Sequence, residues 1–215
     1  MTLIIGSDTP AVRELAAALD GELVGVPTVR ADILDAEWSW TDELDAWRAT
    51  AVDGPCHDAV VVAAWSDEPG DPCPLDDTGL DTWIARAELP FARWFAAMGV
   101  AAARCADGGA IVAVVDQPAP LDCGGRVAET AIGDAVEALA RSLARSEGPR
   151  GVRANAVTTP SRLTIPPVVL PPPPLDSFPG TVALEVAGAV RLLLSPDAVG
   201  LTAAVLAADC GRSAR

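Results

Sequence analysis

Residues 108–157 have the sequence GGAIVAVVDQPAPLDCGGRVAETAIGDAVEALARSLARSEGPRGVRANAV, and they predict the architecture of the whole chain. Ala110 to Val115 form an apolar run typical of a buried strand, and Val152 to Val157 form a second one. In between, apolar residues recur at the spacing of one helix face. A strand, a helix and a strand in this order make a crossover, which is the repeating unit of a parallel sheet.

Composition limits the class of protein. The chain has 215 residues, of which 50% are hydrophobic, and this favours one α/β domain spanning residues 1–215. Its net charge of −15 argues against binding to nucleic acid or to anionic membranes, which need basic surfaces. No apolar run approaches the roughly 20 residues that span a bilayer, and the N-terminus lacks a signal-type segment. We therefore expect a cytoplasmic protein that is not associated with a membrane.

Cysteine usage points to free thiols. The chain has five cysteines and no pair with CxxC spacing, so we expect neither a disulfide framework nor a zinc ribbon. Cys56 stands beside His57, but no second cluster completes a metal site. The sequence therefore predicts no metal centre.

The segment quoted above resembles the core of the short-chain dehydrogenase/reductase superfamily. In that family a GxIV strand ends in the catalytic serine, and a helix with a Tyr-x-x-x-Lys pair precedes an IRVNAV strand. The resemblance covers almost the whole chain, most firmly from Asp58 onward, and residues 192–211 are similar to the family's C-terminus. It implies a shortened, doubly wound parallel sheet of Rossmann type with helices on both faces. The short stretch between Gly6 and Val62 indicates that part of the family's usual complement of elements is missing.

The catalytic positions of the family hold other residues here. Asp116 stands at the serine position, Glu129 at the tyrosine, Gly133 at the lysine and Glu88 at the asparagine. Because the chain contains no tyrosine and no lysine at all, no shift of the alignment restores the pair. In the family the tyrosine acts as the general acid or base, and the lysine lowers its pKa and holds the cofactor ribose. The resemblance therefore predicts no catalytic residue of the family's kind.

The three carboxylates of Glu88, Asp116 and Glu129 are expected to converge at this site. Two unpaired carboxylates about 4 Å apart repel by roughly 4 kcal/mol at an effective dielectric constant near 20. Protonation, a cation, outward rotamers or a nearby arginine such as Arg126 would relieve this repulsion.

The dinucleotide-binding positions are also altered. The family's TGxxxGxG motif falls on IGSDTPAV, so that Gly6 keeps the first glycine while Pro10 and Val12 replace the second and third. Those glycines let the backbone approach the cofactor pyrophosphate. Trp65 stands where the family has a small residue beside the adenosine, and we expect it to fill the vacant groove. The sequence predicts that this chain binds no NAD or NADP.

Helices that pair subunits in the family are rich in apolar residues here. The candidate interface residues are Trp83, Phe91, Trp94, Phe95, Ile132, Val136, Leu139 and Leu143. Residues 161–180 form a proline-rich loop at the place of the family's substrate lid, and Pro171 to Pro174 favour a stiff extended segment.

The leading functional hypothesis is a non-catalytic subunit. It would pair with a catalytic short-chain dehydrogenase paralogue in a hetero-oligomer arranged as a dimer of dimers, and so support it. The partner would bind NAD(P) and act on a hydroxyacyl or ketoacyl compound, as in heteromeric dehydrogenases in which an inactive copy supports an active one. Two alternatives remain open: an enzyme of another class that uses the carboxylate cavity, and a standalone homo-oligomer that binds a small molecule.

Overall fold

A parallel sheet forms the centre of the structure. The computed structural model describes residues 1–28, 39–67, 69–164 and 173–213. The strands are β1 (Thr2–Ser7), β2 (Gly21–Val26), β3 (His57–Ala63), β4 (Cys105–Asp116), β5 (Arg153–Thr159) and β6 (Val205–Ala207). They pair in the order β2-β1-β3-β4-β5-β6, with every pairing parallel.

Helices cover both faces of this sheet. They are α1 (Pro10–Ala18), α2 (Ser39–Ala51), α3 (Leu80–Trp83), α4 (Leu89–Arg104), α5 (Val127–Ser146) and α6 (Ala187–Leu194). A π-helical turn, Ile84–Glu88, joins α3 to α4, and a second one, Val182–Val186, precedes α6. Helix α4 packs against α2 and α5, whereas α1 packs against the turn before α6. The predicted doubly wound α/β fold is confirmed.

The inner strands are buried along nearly their whole length. Leu3 to Ile5 of β1, Val60 to Ala63 of β3 and Ile111 to Val114 of β4 have no exposed surface. Parallel strands covered on both faces have such continuous apolar runs because neither face meets water. The core therefore lies between the sheet and its two helical layers, and the predicted strands at Thr2, Asp58 and Ala110 belong to it.

The crossover predicted from residues 108–157 is present as β4, α5 and β5. Asn155 in β5 then holds the loop before β6. Its side-chain amide donates to the Leu201 carbonyl at 3.0 Å, and its Oδ1 accepts from the Ala204 N–H at 3.0 Å. A buried amide with both ends paired fixes β6 at the edge of the sheet.

Part of the proline-rich loop lies outside the described residues, namely 165–172. On the near side, Leu163 and Thr164 close a turn by donating to the Pro160 carbonyl at 2.9 and 3.0 Å. On the far side, the Leu175 N–H donates to the Cys210 carbonyl at 3.2 Å. The loop is thus anchored to the C-terminal tail, and its role in place of a lid stays a prediction.

The carboxyl ends of β1 and β3 form the point at which the chain's winding around the sheet reverses. Strand β1 leads to β2 on one side, and β3 begins the series β3-β4-β5-β6 on the other. In open α/β sheets a ligand crevice lies at this position. Gly6 and Ser7 end β1 here, and Trp65 follows β3.

We predict that Gly6→Ala destabilises the fold by about 1–3 kcal/mol, because a Cβ at Gly6 would lie 2.8 Å from the Ala63 carbonyl oxygen and 2.9 Å from Val12 Cγ1. Gly25→Ala in β2 is the matched control, since a Cβ there meets no atom within 4 Å. We expect the control to change stability by no more than about 0.5 kcal/mol. Urea unfolding of both variants measures the difference, and equal stabilities would contradict the packing described here.

Candidate functional site

Trp65 fills the crevice at the carboxyl ends of the strands. The residue is only 2% exposed, and its indole N–H donates to the Val114 carbonyl at 2.7 Å. The Trp65 carbonyl accepts a hydrogen bond from the hydroxyl of Ser7. Trp65 therefore links the ends of β1, β3 and β4 through its indole N–H and its backbone carbonyl. Its burial agrees with the packing role predicted from the sequence.

Two arginines complete the filling of this crevice. Arg93 of α4 is 3% exposed and donates through Nη2 to the Ser7 hydroxyl at 2.7 Å. Burial lowers the pKa of Arg93, and the charge of Asp67 opposes this effect. The Arg162 guanidinium lies over the Trp65 ring, 5.0 Å from its centroid, which is a cation–π geometry.

The N-terminus of α1 is partly capped from within the chain. Pro10 at its first turn has no N–H, the Val12 N–H donates to the Thr9 hydroxyl at 3.3 Å, and the Arg13 N–H donates to the Thr9 carbonyl at 3.0 Å. Asp8 lies just before the helix and binds the Arg13 guanidinium at 2.7 and 2.8 Å. The charges of Asp8 and Arg13 balance each other at this position.

These residues do not fit the pyrophosphate of a dinucleotide. An anion site at a helix N-terminus needs free N–H groups and close backbone approach. At α1 the side chain of Val12 lies over Gly6, and the Thr9 hydroxyl occupies the Val12 N–H. Val12 thus takes the space that close backbone approach would need, and Thr9 and Pro10 leave two fewer N–H donors in the first turn.

A cavity of about 160 Å³ lies beside Trp65, between the end of β4, the start of α5 and the turn that joins α3 to α4. Its apolar walls include Trp65, Trp94, Ile132 and Leu163, and its charged walls are Arg86, Asp116 and Glu129. Two of the three carboxylates predicted to converge, Asp116 and Glu129, do line this cavity.

Asp116 ends β4 and forms a buried ion pair. Its Oδ2 accepts from Arg162 Nη1 at 2.6 Å, and the two side chains are 12% and 11% exposed. Arg162 Nη2 also donates to the carbonyls of Ser66 and Asp67, at 2.7 and 3.2 Å. Burial raises the pKa of Asp116 to about 6, Arg162 acts to lower it and Glu129 adds a further increase.

Glu129, in the first turn of α5, pairs with a different arginine. Its Oε1 accepts from Arg86 Nη2 at 2.6 Å, and Arg126 Nη1 lies 3.9 Å from the same oxygen. Arg126 was the cation expected from the sequence, but its hydrogen bond goes to the Gly70 carbonyl at 2.7 Å. The repulsion between the two carboxylates is therefore offset mainly by Arg86 and Arg162, which the sequence did not indicate.

Gly133, at the position expected to match the family's lysine, lies against the side chain of Gln117. A Cβ there would lie 2.7 Å from Gln117 Cδ and 2.8 Å from its Cγ. Gln117 in turn donates through Nε2 to Asp134 at 3.2 Å. A longer side chain at Gly133 would therefore require Gln117 to move.

The prediction that Glu88 joins the other two carboxylates is wrong. Glu88 is exposed and lines a separate groove with Trp83, Phe91 and Ile132. The π-helical turn at Ile84–Glu88 is the reason, because wider helical turns change which residues face a neighbour. Ala85 and Arg86 of that turn line the cavity instead.

The chain is similar to proteins of known structure. No protein-family model matches the chain, and no curated protein matches its sequence. Solved structures match it over nearly their whole length. One is a short-chain dehydrogenase/reductase from Serratia marcescens, with 21% identity, a TM-score of 0.67 and coverage of 99% of this chain and 98% of that one.

Two further structures contain a dinucleotide. A blue fluorescent protein from a metagenomic library, in complex with NADPH, is 23% identical with a TM-score of 0.63 and 98% coverage of both chains. An enoyl-(acyl-carrier-protein) reductase from Anaplasma phagocytophilum, in complex with NAD, is 20% identical with a TM-score of 0.64, covering 98% of this chain and 93% of that one. The chain has the short-chain dehydrogenase/reductase fold.

The candidate interface residues divide into two groups. Trp94 is 2% exposed and Val136 is fully buried, and both belong to the core, so neither can meet a partner subunit. Leu139 and Leu143 are half-buried and pack against the same core. The other four candidates, Trp83 of α3, Phe91 and Phe95 of α4 and Ile132 of α5, keep part of their surface open in this short-chain dehydrogenase/reductase fold, and Phe95 is 56% exposed.

Within the described residues, no group of three or more histidine, cysteine or acidic side chains has the geometry to hold a metal ion. No described helix is long and apolar enough to cross a bilayer.

We predict that Asp116 makes stability depend on pH. Because its pKa is raised from 3.8 to about 6 on folding, its stabilising effect is complete below about pH 3.8 and is lost as the pH rises through 6. Urea unfolding at pH 7.5 and 4.5 should show a gain of about 2 kcal/mol on acidification for the wild type relative to Asp116→Asn. Asp107→Asn is the control, since that carboxylate is 78% exposed. An identical pH dependence of Asp116→Asn and the wild type would refute the assignment.

Proposed function

We propose that this chain is a non-catalytic subunit of short-chain dehydrogenase type that pairs with a catalytic paralogue and supports it. The observation behind the proposal is that Glu129 and Gly133 occupy the positions expected for the proton donor and the lysine. Glu129 is paired with Arg86, and the side chain of Gln117 lies against Gly133. An arginine stays protonated at any physiological pH and cannot relay a proton as the family's pair does.

The proposal includes the absence of a bound dinucleotide on this chain. The crevice is filled by Trp65 and Arg93, and the first turn of α1 uses its own N–H groups internally. NAD(P) would then be bound by the partner, which would oxidise or reduce a hydroxyacyl or ketoacyl compound.

The pairing surface in this proposal is the apolar groove between the α3–α4 turn and α5. Trp83, Phe91 and Ile132 line it, and it measures about 180 Å³. Phe95 continues the same face one turn further along α4 and is 56% exposed. Aromatic residues, Phe and Trp included, are enriched in protein interfaces relative to the rest of the surface.

Charge favours a partner that differs from this chain. Two identical copies would each bring a net charge of −15, and like net charges oppose association. Glu88 lies at the edge of the groove and would be met best by a cation of the partner. A less acidic paralogue with a basic residue at that point satisfies both conditions.

We predict that the isolated chain binds NADH and NADPH no more tightly than a Kd of about 1 mM, which corresponds to roughly 4 kcal/mol of binding free energy. The reason is the side chain of Val12 over Gly6 and the missing N–H donor at Pro10. Fluorescence titration of each nucleotide measures this, with an active short-chain dehydrogenase/reductase as positive control. Saturable binding at micromolar concentrations, or hydride transfer by the isolated chain, would refute the proposal.

We predict that co-expression with the catalytic paralogue of the same genome yields one mixed complex, detected by native mass spectrometry. Phe95→Asp should weaken this complex at least tenfold, because it places a charge on the proposed contact. Leu184→Asp is the control, since Leu184 is 72% exposed on the turn that packs against α1, and it should change the affinity less than twofold. A stable homodimer that ignores the paralogue would contradict the proposal.

A further inference from the structure

A separate cavity lies between the carboxyl ends of β4 and β5, helix α5 and the C-terminal tail. It measures about 210 Å³, and the described residues that line it all differ from those around the cavity beside Trp65. Six of its lining residues define its chemistry: Gln117, Pro118, Pro120, Glu137, Pro160 and Asp209. It is therefore distinct from the crevice that Trp65 fills.

The tail that forms one wall of this cavity is held in place by its own contacts. The Asp209 carboxylate accepts from the Gly211 N–H at 3.0 Å and from the Ser213 N–H at 2.7 Å. Arg212, whose side chain is 1% exposed, donates to both oxygens of Asp122 at 3.0 and 3.1 Å. The wall is thus formed before any ligand arrives, as is usual for small-molecule sites.

Two oxygen atoms of the lining side chains are open to a ligand. Gln117 Nε2 donates to Asp134 at 3.2 Å, and Glu137 Oε2 accepts from Arg141 at 3.2 Å. The other oxygens, Gln117 Oε1 and Glu137 Oε1, have no hydrogen-bond partner within the described part of the chain. Neither is among the unpartnered atoms that are shielded from solvent, so water reaches both. A solute can therefore reach them as well.

These two open oxygens belong to neighbouring side chains. Gln117 lies against Gly133, since a Cβ at Gly133 would be 2.7 Å from Gln117 Cδ. Glu137 follows Gly133 by four residues on α5, which places the two positions one turn apart on the same helix face. Cβ atoms at this spacing are roughly 5–6 Å apart. One small ligand group can therefore bridge the amide and the carboxylate.

The rest of the lining offers acceptors and negative charge. The three prolines have no N–H, so their backbone provides only carbonyl oxygens. Asp209 is 4% exposed, and among the described residues no cation pairs with it. Arg141, the cation beside Glu137, has a side chain that is 49% exposed, so solvent screens its charge. A positively charged donor is the group that this lining lacks.

A primary ammonium group meets these conditions. It carries three N–H donors and no acceptor, and its charge is compact. A metal ion is a poorer match, because no three metal-ligating side chains come together in the described ranges. An anion would meet two carboxylates. The volume of about 210 Å³ lies below the roughly 300–1,000 Å³ of pockets for drug-sized ligands, so the rest of the molecule is short.

We propose that this cavity is a binding site for a small primary amine in its ammonium form. The ammonium group donates to Gln117 Oε1 and Glu137 Oε1, and the buried charge of Asp209 adds to the attraction. A short alkyl body lies against the proline rings. The site belongs to the isolated chain, so its test does not depend on the proposed role as a subunit.

The probe is n-butylamine, titrated into the full-length chain by isothermal calorimetry at pH 7.5. It is protonated there, since an alkylammonium group of the lysine type loses its proton only near roughly pH 10.4. Three small molecules serve as comparisons: n-butanol removes the charge, butyrate reverses it, and tetramethylammonium keeps it without any donor. We expect saturable binding of n-butylamine at least tenfold tighter than that of each comparison molecule. No binding of n-butylamine, or equal or tighter binding of a comparison molecule, overturns the proposal.

Glu137→Gln tests the contact itself, because it removes the charge of the acceptor while keeping the size of the side chain. The affinity for n-butylamine should fall at least tenfold. Asp107→Asn is the matched control, since it also removes one negative charge but at a side chain that is 78% exposed and outside the cavity lining. If Glu137→Gln does not fold, as judged by circular dichroism, Gln117→Leu takes its place with the same expectation. Unchanged affinity in the folded variant, or an equal loss in Asp107→Asn, overturns the proposal.

Discussion

The hydrogen bonds of Trp65 constrain the whole carboxyl edge of the sheet. The indole N–H binds the Val114 carbonyl at 2.7 Å, and the Trp65 backbone accepts from Ser7, so strands β1, β3 and β4 are joined at one point. An indole buried with its polar atom satisfied contributes a large apolar area without leaving an orphan donor. Arg162 covers the ring and reaches from there to Asp116, so the wall of the cavity depends on the same side chain.

The electrostatics of the cavity follow from this arrangement. A buried carboxylate is stable only when a partner is held close, and each of the two carboxylates here has one guanidinium within 2.6 Å. Arginine provides a permanent charge in a fixed planar geometry. The two guanidinium groups thus fix the positions of the carboxylates, although burial still raises the pKa of Asp116 to about 6.

The sequence predicted the framework well because the framework depends on local patterns. Apolar runs at Ala110 and Asp58 and the helical spacing after Glu129 identified strands and helices that the structure contains. The partners of the carboxylates were missed because Arg86 and Arg162 lie 43 and 46 positions away from Glu129 and Asp116 along the chain. Glu88 was misplaced since a π-helical turn leaves no signature in apolar spacing. Long-range pairing and irregular helical turns are set by tertiary packing, which a single sequence does not display.

The side chain of Val12, which lies over Gly6, limits which substitutions the chain tolerates. Shortening Val12 or Trp65 alone would leave a void in a packed interior, at a typical cost of 1 to 5 kcal/mol, before any new contact formed. A domain has only about 5–15 kcal/mol of stability in total, so few such steps are tolerated in succession. Substitutions that would open the crevice therefore consume a large share of the domain's stability, and the packing of Val12 and Trp65 keeps the crevice closed.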